Sequence, residues 1–280
     1  MTTFRLCPLV AIVTAAFALG CGNERPEKNT SAVIAPAAAP PPAVPNDKSL
    51  TTAEYVQLGM PTPDRVWTGR DMDQARKVVS KLAGEDASKL PRYESPRSGK
   101  VFARITNPDA LASFNRPELT VEERLRAVTE YANPLTGVLM VYMLADPGGQ
   151  TLASEHVELF GISLRAAVLM VPLTEAYLLT IDPNDPTYPT RQIGREGMRQ
   201  GLAKTINHLL KLQTETRAFT ESDRGRFLSY TEETLPALYA YLPDATKTEV
   251  PGLLRDMEAN PKLAFAKDRL RALREKLVAK

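Results

Sequence analysis

Between Leu152 and Ile181 the chain reads LASEHVELFGISLRAAVLMVPLTEAYLLTI, the most apolar stretch after the first two dozen residues. No turn signal occurs before Asp182-Pro183, and a run of that length and polarity predicts a helix buried on most sides. Glu158, Arg165 and Glu175 interrupt it too often for a bilayer span, which takes ~20 consecutive apolar residues. A buried helix must be covered by other elements. The rest of the fold is therefore expected to be organised around this run.

The flanking segments read as helices. Thr51-Thr52-Ala53-Glu54 starts a short one that runs to Gly59. From Thr68 to Ala83, Met72, Ala75, Val79 and Leu82 recur at helical spacing, and Gly84 marks a stop. Residues 88–99, rich in Pro and Ser, predict a loop, and KVFARIT fits a short strand or a helical turn equally well. Asn107-Pro108 caps a short helix to Phe114. Thr120 with Glu123 forms a capping box ahead of the stripe Val121, Leu125 and Val128. Asn133-Pro134 is expected to break or kink that helix before the apolar run GVLMVYMLA. Asp146-Pro147-Gly148-Gly149 is a turn, and Pro172 is expected to kink the central helix. After a Pro-rich loop from Asp182 to Thr190 come a long helix to Phe219, one capped by Thr220 running to Leu242, and one from Thr248 to Ala259. The last begins at Asn260-Pro261. No segment alternates convincingly as a strand, so residues 50–280 predict one all-α, multi-helix domain around the central apolar helix.

The N-terminus carries a different message. Arg5 precedes an apolar run from Leu9 to Leu19 and small residues follow, the pattern of a secretory signal peptide over residues 1–20. Ala18-Leu19-Gly20-Cys21 resembles the lipobox of bacterial lipoproteins, although the leucine stands one place later than in the usual motif. The resemblance covers only the first two dozen residues. It implies cleavage before Cys21 and lipidation of that cysteine. More than one acyl chain, at about 0.8 kcal/mol per buried methylene, would hold the protein on a lipid bilayer. Gly22, where an aspartate would signal inner-membrane retention in enteric bacteria, implies the periplasmic face of the outer membrane. Cysteine usage agrees, since Cys7 and Cys21 are the two cysteines in the chain and the body has no thiol for a disulfide or a metal site. Residues 21–49, with AVIAPAAAPPPAVP at their centre, predict an extended Ala/Pro tether.

Motifs with chemistry are sparse. A net charge of +2 argues against a body-wide design for nucleic acid, as does secretion. His156 and His208 are the two histidines. Glu155 and Glu158 have helical ligand spacing, but His156 points elsewhere, so no metal site or cofactor is expected. Gly161-Ile162-Ser163-Leu164-Arg165 lacks the second glycine of a nucleophile elbow. Glu158 and Arg165 share a helix face and, with His156 and Glu175, are the candidate ligand-binding groups of a cavity beside the central helix. Gly194, Gly197 and Gly201 on one face suggest a close helix crossing. Arg191, Arg195 and Arg199 form a basic ridge suited to an acidic partner or an anionic glycolipid. The C-terminal helix sets Leu263, Ala266, Leu270, Leu273 and Leu277 on a heptad seam beneath basic residues that include Lys267, Arg271 and Arg274. Phe227, Tyr230, Tyr239 and Tyr241 offer an aromatic surface. Two classes of function emerge: a membrane-tethered, non-catalytic helical lipoprotein that binds a protein or envelope component, or a small-ligand receptor or enzyme with a cavity beside the central helix.

Overall fold

A computed structural model describes residues 47–279, apart from 115 and 117. The expected signal peptide, Cys21 and most of the expected Ala/Pro tether lie outside the described residues. The helices are α1 (Thr52–Gln57), α2 (Gly69–Asp86), α3 (Gly99–Ile105), α4 (Pro108–Ala112), α5 (Val121–Ala145), α6 (Ala153–Leu179), α7 (Tyr188–Glu215), α8 (Glu221–Leu238), α9 (Asp244–Ala259) and α10 (Lys267–Val278). Among the described residues there is no strand, and the fold is all-α.

Threonine starts four of these helices in the same way. Thr51, Thr68, Thr120 and Thr220 each accept a bond from the backbone N–H three residues on, while Glu54, Asp71, Glu123 and Asp223 reach back to the cap. Each box satisfies two backbone donors that a helix start leaves open. Asp71 also receives both ends of the Arg65 guanidinium at 2.6 Å. Burial pushes its carboxyl upward, but Arg65 and the Thr68 bonds outweigh that and bring it down to about 2.

The core is a stack in which α2 packs on α5, α5 on α6, and α6 on α8, while α9 and α10 pair, α9 lying on α7 and α10 on α8. Tyr131, Leu135, Val138 and Tyr142 of α5, Val157, Leu159 and Ile162 of α6, and Phe227, Leu228 and Leu235 of α8 share one buried cluster. The first turns of α6, from Glu155 to Ile162, are buried all round, as their polarity predicts. The second half differs. There Leu164, Ala166, Met170, Val171, Thr174, Glu175 and Leu178 are buried, while Arg165, Val168, Leu169, Pro172, Leu173 and Ala176 on the opposite face are only half buried. By length and composition α6 could cross a membrane, yet most of its apolar window is buried within the protein.

Several local expectations are corrected. Pro134 does not end a helix, since α5 runs through it to Ala145. Without an N–H, Pro134 leaves the Glu130 carbonyl unbonded within the helix. Gly69 lies against that carbonyl, where an added Cβ would come within 2.7 Å of the oxygen. Gly84 does not stop α2, which continues to Asp86. KVFARIT lies within α3 and the turn after it. The long helix α7 starts at Tyr188, inside the segment read as a loop, with Pro189 in its first turn, and α9 starts at Asp244. A Cβ added at Gly194 or Gly197 would meet no described atom within 4 Å, so those two glycines do not serve a close helix crossing.

The end of the segment read as tether is built into the body. Ser49 is fully buried and meets the Ser98 hydroxyl at 2.9 Å. The Ser95 hydroxyl donates to Asp47, and Arg97 Nε donates to the Ser49 carbonyl at 2.6 Å.

Candidate functional site

The polar groups of the central helix fall into separate places. At the seam between the first turns of α6 and α8, three carboxylates are buried: Glu155, Glu158 and Asp223. Glu155 accepts the Tyr93 backbone N–H at 2.7 Å and faces Arg92 at 3.8 Å, and burial raises its pKa. Glu158 accepts the Tyr230 hydroxyl through one oxygen. Its other oxygen lies 3.0 Å from Arg226 Nε, out of line for a hydrogen bond. Asp223 completes its own cap, accepts from Ser154 at 2.7 Å and holds Arg226 at 2.7 Å.

Arg165 is not paired with Glu158. Seven residues further along, it grips Glu233 of α8 at 2.8 and 2.7 Å, with its guanidinium 5.0 Å from the centre of the Tyr230 ring. Tyr230 links the two pairs, touching Arg165 with its ring face and Glu158 with its hydroxyl. Arg226 in turn stacks on Tyr93 at 4.6 Å. The result is a continuous ladder, Glu233–Arg165–Tyr230–Glu158–Arg226–Tyr93, sewing α8 and the segment after α2 onto α6. Gly161 makes room for it, because any Cβ there would sit 2.5 Å from the Tyr230 ring. That close approach is the role of the glycine in the Gly-Ile-Ser-Leu-Arg sequence.

His156 faces the other way. It is buried, with Nε2 3.1 Å from the Tyr142 carbonyl, so that nitrogen carries the proton, and burial lowers its pKa. Glu175 lies near the far end of α6. There it takes one bond from Arg195 and one from Arg199, both at 2.6 Å. Arg191 reaches Thr187 at 2.9 Å and lies over Tyr177. Two arginines of the ridge are thus turned inward onto Glu175, fastening α7 to α6. His156, Glu158, Arg165 and Glu175 do not converge on one pocket.

The C-terminal helix packs on the body through its heptad seam, with Leu263, Ala266, Leu270, Leu273 and Leu277 all buried. Arg274 and Arg271 pair with Glu258 of α9 at 2.7 and 4.0 Å, and Arg269 forks onto Glu232 of α8. Lys267 is exposed. Of the expected aromatic surface, Phe227 stacks on Phe160 in the core, Tyr230 is held between Arg165 and Glu158, and the Tyr239 hydroxyl donates to the Lys247 carbonyl. Among the described residues, no group of three His, Cys, Asp or Glu side chains is placed to hold a metal.

What remains open is the outer face of α6. Arg165, Val168, Leu169, Pro172, Leu173 and Ala176 are half buried along it, and Leu179 is 67% exposed at its end. Near Arg165 this face forms the floor of a groove of about 470 Å³, walled by Pro108, Leu111 and Ala112 of α4 and by Glu233 and Thr234 of α8. Reading the apolar run as buried on most sides concealed this face. The signal was present in the spacing of Val168, Leu169, Pro172, Ala176 and Leu179, but apolarity alone does not say which side a neighbour covers. Arg226, Asp223 and Tyr93 were not identifiable as partners either, since each comes from a distant element.

No family model matches the chain, and no curated protein or solved structure matches it either.

Proposed function

We propose that the protein is a lipid-anchored, non-catalytic helical module that works by binding a protein of the bacterial cell envelope. In this reading the signal peptide directs export, Cys21 carries the acyl chains, and Gly22 favours the periplasmic face of the outer membrane. The outer face of α6 is the binding surface. One observation carries that choice: the outer face of the central helix from Val168 to Leu179 is only partly covered among the described residues, open at Leu179 and along the groove between α4 and α8. Apolar surface left open in this way marks interaction sites on otherwise well-packed proteins. The charged side chains of α6 support the same reading, because Glu158, Arg165 and Glu175 are each engaged by side chains of α7 or α8.

Two measurements test it. Labelled palmitate should enter the wild-type chain and be absent from Cys21→Ser, which should leave the membrane fraction. Affinity capture of the tagged lipoprotein should recover a specific protein that Leu169→Glu loses while circular dichroism stays helical. Equal labelling of both chains refutes the anchor, and identical capture by both refutes the surface.

A further inference from the structure

Resting on the reading of α6 as a binding surface, we propose that its occupant is a second copy of this chain, docked antiparallel through the same face. The argument starts with spacing. Arg165, Leu169, Pro172, Ala176 and Leu179 are separated by steps of four, three, four and three residues, the seam along which two helices pack knobs into holes. Val168 and Leu173 flank it. At the middle, Pro172 and Ala176 are small, which lets two backbones approach.

The two ends of the face are unlike, and they complement each other. The Arg165 end is recessed: Val168 and Leu169 floor a groove between α4 and α8. The Leu179 end is open, since Leu179 is largely exposed there. Leu169 and Leu179 are about 15 Å apart along the helix at 1.5 Å per residue. A two-fold axis beside α6, passing between Pro172 and Ala176, sets Leu179 of each copy over Leu169 in the groove of the other. A self-complementary patch used twice is the signature of an isologous interface.

Charge selects the same arrangement. The Arg165 guanidinium meets Glu233 through Nε and Nη2, and Nη1 has no bond among the described residues. Antiparallel docking brings exposed Asp182, just past Leu179, to that nitrogen from the second copy. Parallel docking would set Arg165 against Arg165. A membrane surface is disfavoured as the occupant, because Asp182 and Asp185 follow Leu179 at the open end and would meet anionic headgroups.

The test uses the full-length lipoprotein in its own cell, with a photo-crosslinking amino acid in place of Ala176. We expect a crosslinked species of twice the chain mass, with the crosslinked peptide mapping to residues 168–173 of a second copy. Leu179→Glu, at a position exposed enough to spare the fold, should cut its yield at least tenfold, and Asp182→Arg several-fold. A crosslink to another protein overturns self-pairing but leaves α6 as a binding surface. A crosslink to lipid, or none, overturns both. A two-copy species whose yield Leu179→Glu does not change also overturns the antiparallel arrangement.

Discussion

Arg224 is a buried charge whose removal should lower stability. Among the described residues no carboxylate pairs with its guanidinium. Instead it donates to three carbonyls near the end of α7 and the turn into α8: Gln213 at 2.9 Å, Thr216 at 2.6 Å, and Phe219. The last carbonyls of a helix lack internal partners and sit at the negative end of its dipole, so a cation there caps α7 from the following helix. Burial lowers the Arg224 pKa, the sign of a charge that costs free energy to desolvate. Three hydrogen bonds to a charged group at about 1.5 kcal/mol each amount to about 4.5 kcal/mol. Desolvation of the guanidinium offsets part of that, leaving a net of about 3 kcal/mol. Arg224→Leu should therefore lower the melting temperature by about 6–12 °C, taking 2–4 °C per kcal/mol for a body of this size. Arg224→Lys keeps the charge but cannot fork onto three acceptors, and should lose about half as much. Urea titration followed by circular dichroism measures both, with an unchanged slope showing that stability alone has moved. A loss below about 0.5 kcal/mol for the leucine variant would refute the cap.

Gly161→Ala forces a methyl group into the Tyr230 ring and should cost about 1–3 kcal/mol; if the cost persists undiminished in a Tyr230→Ala background, the clash is not its origin. The folded pKa of His156 lies below the unfolded value of 6.5, so its contribution is whole above pH 6.5 and is lost as the pH falls below it. The urea midpoint should accordingly drop between pH 7.5 and 5.5, and drop less in His156→Gln, with His208 contributing in the same direction; equal drops would argue against a buried neutral imidazole. Glu175→Gln should loosen the first half of α7, raising hydrogen exchange at residues 188–199 about tenfold while α5 stays protected. Unchanged exchange there would mean that the Arg195 and Arg199 pairs do not hold the helix.

Local signals in the chain were legible where local physics decides the outcome. The capping box at Thr120, the cap at Thr220, the turn at Asp146 and the seam of the last helix all rest on side chains within a few residues of one another. Gly84, and the break expected at Pro134, misled for the opposite reason: a glycine's freedom costs about 1 kcal/mol and a proline's lost bond about 3 kcal/mol, and tertiary packing overrides both.

The candidate site was legible only in part. Glu158, Arg165 and Glu175 announced by their polarity that an apolar helix must find partners for them. Arg226, Glu233, Arg195 and Arg199 supply those partners from helices many residues away, and one-dimensional spacing holds no record of that pairing. The amino-acid order by itself determined an all-α body built on residues 153–179, because hydrophobic periodicity and capping act within a few turns. Which face of that helix is covered depends on where α4, α7 and α8 come to rest, so only the tertiary structure decided that its second half keeps an apolar side open.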